Sequence, residues 1–318
     1  MHGAIAYGPR FDLVVAPGGY AWWYLDAASD DGRHGLTLIA FVGSVFSPFY
    51  AGARRRGLAE AIDHCAINVA LYGDVSRWAM TERDRGAVSR TADQFVVGPS
   101  QLQWRDGALV IEVNEITVPW HTRLRGSIRV QPMAGSDYQV ALDARAHHHW
   151  QPIAPRARVE LNFGVPSLRW SGEGYLDSNT GSEPLEAGFS SWHWSRARLA
   201  DGTTQVFYDV ERRDGTSLGL GLAFDRQGAV HRCPALPLAD LPPTLWRIQR
   251  RMRGTPASLA RIRTVEDTPF YARSMAMGAG PHCEQVVHES LSLDRFNSRW
   301  VQALLPFRML RRRTGQNA

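Results

Sequence analysis

The sequence contains no lysine, so all 36 of its basic residues are arginine. That replacement is first a matter of codon composition and by itself excludes nothing. Cysteine is almost as scarce. Cys65, Cys233 and Cys283 are odd in number, scattered and without C-x-x-C spacing, which argues against a disulfide framework or a zinc site and fits a reducing compartment. Long apolar runs are missing too: no window approaches the ~20 uncharged apolar residues that a spanning helix needs. The opening MHGAIAYGPRFDLVV has no basic region followed by an apolar stretch, so secretion is not expected. With 44% apolar and 21% charged residues the composition is that of a globular protein, which excludes a disordered tail, a coiled coil and a collagen-like repeat. At 318 residues the chain suits one large domain or two of middling size.

What the chain has in abundance is strand-like sequence. Short runs rich in Val, Ile, Phe, Tyr and Trp alternate with polar residues: GYAWWYLDAAS, GLTLIAFVGSVF, GALVIEVNEITV, TRLRGSIRVQPM, DYQVALDARAHHHW, VELNFG, FSSWHWSRARLADG, TTQVFYDVERRDG and TSLGLGLAFDRQG. The endings ADG, RRDG and DRQG are hairpin chemistry, since glycine accepts the positive φ such turns require. Many short strands at this spacing predict a mainly β chain of barrels or sandwiches with a few short helices. Ser100–Arg105 is too short for a helix, and only Leu241–Arg253 and Arg295–Arg313 have convincing helical composition. The Pro/Gly-rich stretch Gln151–Pro155 and the loop around Ser178–Pro184 are the candidate seams. Either leaves two parts large enough to close a barrel each, with no sequence repeat between them.

Two short patterns carry possible chemistry. His147, His148 and His149 precede Trp150 at the end of a predicted strand. Alternate side chains of a strand share a face, so His148 and Trp150 point one way and His147 and His149 the other. The ordinary reading is a surface histidine cluster or an adventitious metal site; with no carboxylate at ligand spacing, metal catalysis is not expected. In Gly174-Tyr175-Leu176-Asp177-Ser178-Asn179-Thr180-Gly181 the side chains of Tyr175 and Asp177 likewise share a face. There the ordinary reading is a turn in which Asp177 and Asn179 cap backbone amides. Eleven tryptophans are a further clue, several in pairs such as Trp22–Trp23 and Trp192-His193-Trp194. A barrel lined with aromatic rings would hold a long apolar ligand by burial, at roughly 25 cal/mol per Å²; a Trp-rich core is the plainer alternative.

Taken together, GGYAWWYLDAASDDGRHGLTLIAFVGSVFSPFY (Gly18–Tyr50), DHCAINVALYG (Asp63–Gly73), RWAMTER (Arg77–Arg83) and GYLDSNTGSEPLE (Gly174–Glu186) resemble carotenoid 1,2-hydratase, the hydroxyneurosporene synthase family of phototrophic bacteria. SSWHWSRARL (Ser190–Leu199) and VFYDVERRDG (Val206–Gly215) extend the likeness. The resemblance implies two lipocalin-like β domains, placed here at residues 1–170 and 171–318. It also implies no cofactor, and addition of water to the terminal C1=C2 double bond of acyclic carotenes such as neurosporene or lycopene. It implies a site made of a His-x-Trp pair and a Tyr-x-Asp pair, matched by His148, Trp150, Tyr175 and Asp177. Ser178 departs from the pattern, since related sequences often carry His there, but it touches none of the four.

The reaction explains those residue types. Hydrating an isolated trisubstituted alkene begins with proton transfer to the less substituted carbon and leaves a tertiary cation at C1. That demands a strong acid in an apolar setting, which a carboxyl kept protonated by desolvation can be, and Asp177 is the candidate. Trp150 can offer a ring face to the cation, Tyr175 can position the acid or the cation, and His148 can take the proton from water as general base. The competing reading is a lipocalin-like binding protein or cofactor-free pericyclase acting on an apolar ligand, which would need the aromatic lining but no acid–base pair.

The arginines bunch at Arg54–Arg56, at Arg247, Arg250, Arg251 and Arg253, and at Arg308 with Arg311–Arg313. Nucleic acid is one partner for such patches, but its recognition motifs are lacking. An anionic membrane surface is the other. LPPTLWRIQRRMR (Leu241–Arg253) and WVQALLPFRMLRRR (Trp300–Arg313) mix Trp, Leu, Phe and Met with arginine, as interfacial helices do, although Pro306 interrupts the second. The expectation is a cytoplasmic protein in peripheral, salt-sensitive contact with the inner or intracytoplasmic membrane.

Overall fold

A computed structural model describes residues 8–255, 259–280 and 283–314 of the chain. The chain is mainly β, in two lipocalin-like β units with a few short helices. The first unit takes the chain up to Ala141, then His147–Pro184 and the end from Ala303; the second takes Leu142–Ala146 and Leu185–Gln302.

In chain order the strands of the first unit are β1 (Tyr20–Ser29), β2 (His34–Val42), β3 (Ala66–Gly73), β4 (Arg77–Arg83), β5 (Val88–Arg90), β6 (Gln94–Val97), β7 (Ser100–Arg105), β8 (Ala108–Ile116), β9 (Arg123–Ala134), β10 (Val140–Ala141), β11 (His148–Val165) and β12 (Ser167–Gly181). The second unit contributes β13 (Phe189–Leu199), β14 (Thr204–Arg212), β15 (Ser217–Phe224), β16 (Val230–Arg232), β17 (Leu238–Asp240), β18 (Arg251–Arg253), β19 (Arg263–Asp267), β20 (Tyr271–Gly280) and β21 (Cys283–Ser292), and β22 (Leu310–Arg312) returns to the first. Residue 170 therefore lies inside β12, and the chain passes to the second unit after Pro184.

The long sheet of the first unit runs β22-β4-β3-β2-β1-β12-β11-β9-β8-β7-β6-β5, with β10 beside β11. A bridge between Ala79 and Thr117, and a hydrogen bond from the Val118 amide to the Trp78 carbonyl, bring β4 back against the end of β8. The strands from β4 round to β8 thus curl about one core. Alternation along the strands decides what faces it. Trp23, Leu25, Leu38, Val69, Ile111 and Leu161 are buried in that core. The opposite face of β1 carries Tyr20, Trp22, Tyr24 and Asp26, which are buried as well. A central strand covered on both faces has almost no polar positions, and this explains the sequence YAWWYLDAAS.

The second unit is a seven-stranded sheet, β16-β15-β14-β13-β21-β20-β19, plus the ribbon β17-β18. Its expected hairpin glycines Gly202, Gly215 and Gly228 all have positive φ.

The helical expectations fail. Leu241–Arg253 holds no helix: Arg247 has φ 51° and Arg251–Arg253 form β18. Pro242 and Pro243 disfavour a helical start there, and the arginines are drawn to distant partners. The buried Arg250 donates to Thr264 and Ser274, Arg251 pairs with Glu211, and Arg253 forks onto Asp209. Arg295–Arg313 is broken into pieces. Helices Leu293–Asn297 and Arg299–Leu304 are followed by a 3₁₀ turn, Leu305–Phe307, at Pro306 and then by β22. In β22, Arg311 ion-pairs with the buried Glu82 and donates toward His64, while Arg308 lies over the Trp78 ring, 4.5 Å from its centroid. Much of the basic character of both segments is spent inside the protein.

Candidate active site

Strand β12 lies between β1 and β11, antiparallel to both, and this register assembles the site. Tyr24 is opposite Asp177, Asp26 opposite Tyr175 and Trp22 opposite Asn179 on one side; Trp150 is opposite Asn179 and His148 opposite Gly181 on the other. His148 and Trp150 share a face of β11, and Tyr175 and Asp177 share a face of β12. All four side chains are buried.

Three of them meet directly. The indole Nε1–H of Trp150 donates to Oδ2 of Asp177 at 2.8 Å, and the Tyr175 hydroxyl donates to the same oxygen at 3.0 Å. Trp150 is held in turn by Tyr138, edge to face at 6.5 Å, and Tyr175 by Tyr24 in the same manner, also at 6.5 Å. Two donors on Oδ2 fix the carboxyl plane. Both bonds strengthen when the group becomes a carboxylate, because charge-assisted hydrogen bonds are about twice as strong as neutral ones.

His148 stands two residues from Trp150 on the same strand, a rise of about 7 Å. Its Nδ1 is 2.8 Å from the Tyr20 hydroxyl, and the two rings stack with centroids 5.8 Å apart. Its Nε2 is 3.4 Å from Oε1 of Glu183, whose Oε2 is 3.0 Å from Nδ1 of His147. The base candidate is thus set between a hydroxyl and a carboxylate. Gly181 lies beneath this pair: a Cβ there would fall 2.3 Å from Cε1 of Tyr20 and 2.8 Å from Nδ1 of His148.

Strand spacing predicts the two shared faces, and the family resemblance the set of four, but neither points to Tyr20, Glu183 or Asp26. Tyr20 and Glu183 reach His148 only through the strand register and the turn after β12. Asp26 left a trace in the sequence, for Tyr24-Leu25-Asp26 repeats Tyr175-Leu176-Asp177. The two tripeptides pair antiparallel, Leu25 against Leu176, so a second buried carboxyl, accepting from the Tyr24 hydroxyl at 3.2 Å, joins the same face. Aromatic rings continue this face: Tyr20 stacks on Trp22 at 4.8 Å, and Trp22 meets Phe41, which meets Phe46, each edge to face at 6.1 Å. Among the described residues no group of three or more His, Cys, Asp or Glu side chains is placed to hold a metal ion.

Unit 2 has a separate buried polar cluster. Nδ1 of His193 lies 2.8 Å from the Ser290 hydroxyl, which is 3.3 Å from Nε2 of His288. Burial lowers the pKa of His193 to about 3, aided by the charges of His288 and Arg251, and burial lowers that of His288 to about 4.

Comparison with known proteins adds the following. The family described as Carotenoid hydratase CrtC matches residues 38–318. The chain is 54% identical over 313 residues to an acyclic carotenoid 1,2-hydratase of Thiocapsa roseopersicina, covering 96% of this chain and 76% of that protein. It is 49% identical over 310 residues to the protein of the same name from Rubrivivax gelatinosus, with the same coverage of each. Among solved structures, that of CghA with Sch210972 superposes with a TM-score of 0.52 at 9% identity, over 91% of this chain and 97% of that one, a likeness of fold alone.

Proposed function

The chain belongs to the carotenoid hydratase CrtC family, and from that premise we propose that it adds water, without a cofactor, to the terminal C1=C2 double bond of acyclic carotenes such as neurosporene and lycopene. The products are 1-hydroxy carotenoids, made in carotenoid biosynthesis.

The observation that carries this reading is the arrangement about Asp177: a buried carboxyl with two hydrogen-bond donors on one oxygen, set on an aromatic face. Asp177 is the acid. With Oδ2 engaged by Trp150 and Tyr175, Oδ1 carries the proton and delivers it to C2. The carboxylate left behind gains from the same two donors, so they act on the transition state more than on the ground state. Trp150 serves twice, its N–H holding the acid and its ring face stabilising the cation at C1. Tyr175 positions the acid. Water adds to C1, and His148 takes the proton that water sheds. The row Tyr20, Trp22, Phe41 and Phe46 suits an extended polyene.

Such a hydrocarbon dissolves in the bilayer, so the protein collects it by peripheral contact with a membrane. No helix among the described residues is long and apolar enough to cross one. The contact is assigned to the exposed apolar side chains Leu245, Trp246 and Trp300 of the second unit, the two tryptophans being stacked at 6.0 Å.

The test is incubation of purified protein with lycopene in detergent, followed by chromatography. A more polar, hydroxylated product with the wild-type protein supports the reading. Lycopene bound and recovered unchanged would leave the chain a binding protein.

A further inference from the structure

Both ring nitrogens of the buried His148 face polar side chains, and neither contact has a part in the proton transfers above. Nδ1 faces the Tyr20 hydroxyl at 2.8 Å and Nε2 faces Glu183 at 3.4 Å. The other titratable groups about this ring are His147, its neighbour on the chain and also in contact with Glu183, and Asp177 with Tyr175 on the adjoining strand β12. A carboxylate only accepts, so Glu183 favours the tautomer with hydrogen on Nε2, and Nδ1 is left to accept from the Tyr20 O–H. Water therefore meets the base through the oxygen of Tyr20. At the other end the Glu183 side chain is 21% exposed whereas that of His148 is 0% exposed, so the sequence Tyr20, His148, Glu183 runs from the buried face toward solvent.

We propose that Tyr20, His148 and Glu183 form one proton-transfer chain for the water half of the reaction; this rests on the hydratase reading. As the water oxygen bonds to C1, its proton passes to the Tyr20 oxygen and the hydroxyl proton of Tyr20 passes to Nδ1 of His148. The imidazolium so formed is stabilised by the Glu183 carboxylate facing its Nε2–H; once the product leaves, Nδ1 returns the proton through Tyr20 to solvent water, which restores the Nε2–H tautomer. Asp177, having given one proton to C2, recovers one from solvent, so no net proton is gained or lost over a cycle. Tyr20 is then a catalytic residue, since it touches the reacting water. Glu183 is a positioning residue, acting through the tautomer and charge of His148. The bare Gly181 fits this role, because any side chain there would separate Tyr20 from His148.

The experiment compares wild type, Glu183→Gln, Glu183→Asp and Tyr20→Phe, with near-UV circular dichroism to verify folding. kcat and KM for lycopene are measured across pH, and the His148 nitrogens are followed by ¹⁵N NMR titration, which needs no substrate. Glu183→Gln is expected to lower kcat about 10–100-fold with KM within about twofold. It should also move the acid limb of the pH profile and the midpoint of the His148 titration to lower pH, because the charge that favours the imidazolium is gone. Glu183→Asp should recover most of both. Tyr20→Phe should lower kcat about 10²-fold, and a double variant combining Tyr20→Phe with Glu183→Gln should cost little more than Tyr20→Phe alone. Wild-type kcat and an unmoved profile in Glu183→Gln and Tyr20→Phe, while the wild-type protein hydrates lycopene, would overturn the chain and leave the hydratase reading standing. If the wild type makes no hydroxylated product, that reading has failed; an unmoved NMR midpoint in Glu183→Gln would then reject the Glu183–His148 coupling on its own.

Discussion

Trp150 donates its indole hydrogen to Asp177 at 2.8 Å although 27 residues separate the two in sequence. The register of β11 against β12 makes this contact, and it joins a tryptophan and a carboxyl in one hydrogen-bonded group.

Asp177→Asn should therefore abolish hydration, a loss of at least about 10²–10⁴-fold, while the fold and carotene binding persist. Trp150→Phe and Tyr175→Phe each remove one donor from Oδ2 and should cost about 10²–10³-fold, the range seen when single oxyanion donors are lost. Product formation per unit of folded protein decides it; near wild-type turnover in Asp177→Asn would remove Asp177 from the acid's role.

Gly181→Ala should depress activity without touching an ionisable group. The added methyl would sit 2.3 Å from Cε1 of Tyr20 and 2.8 Å from Nδ1 of His148, so the two rings must part. The expected result is a kcat loss like that of Tyr20→Phe, with a melting temperature lowered by only a few degrees. Unchanged kcat would mean that the Tyr20–His148 contact is incidental.

How much of this was legible in the sequence differs from feature to feature. The strands were, because period-2 alternation and Asp-Gly turns are local signals. The shared faces of His148 with Trp150 and of Tyr175 with Asp177 followed from strand geometry alone. Their union did not, since register is a property of the folded sheet, and for the same reason Tyr20 and Glu183 went unseen. Leu241–Arg253 misled because its composition suggests an interfacial helix, while Arg250, Arg251 and Arg253 answer to Ser274, Glu211 and Asp209 far along the chain.

Those arginine partnerships also shape the membrane expectation. With Arg250, Arg251, Arg253, Arg308 and Arg311 engaged internally, contact should depend more on Trp246 and Trp300 than on charge. Flotation with anionic liposomes should thus persist in part at high salt, and the double substitution of Trp246 and Trp300 by Ser should abolish it. Equal flotation of that variant and the wild type would place the contact elsewhere.

Unit 2 should be acid-sensitive through its buried histidines. His193 and His288 stay neutral in the fold down to about pH 3 and 4, whereas an unfolded histidine takes up a proton near pH 6.5. Below that value the unfolded chain binds more protons, so stability is full above it and falls as pH drops toward 4, by up to about 1.4 kcal/mol per pH unit for each histidine. Thermal melts between pH 7 and 4.5 should show the decline, and His288→Gln should flatten it. The same slope in variant and wild type would assign the acid sensitivity to other groups.

The most direct test of the central claim follows the atoms of water. Lycopene turned over by the wild-type protein in D₂O enriched in H₂¹⁸O should yield a 1-hydroxy product with one deuterium at C2 and ¹⁸O at C1, read by mass spectrometry and NMR. A product whose oxygen is unlabelled, or whose C2 carries no deuterium, would contradict protonation by Asp177 followed by capture of water.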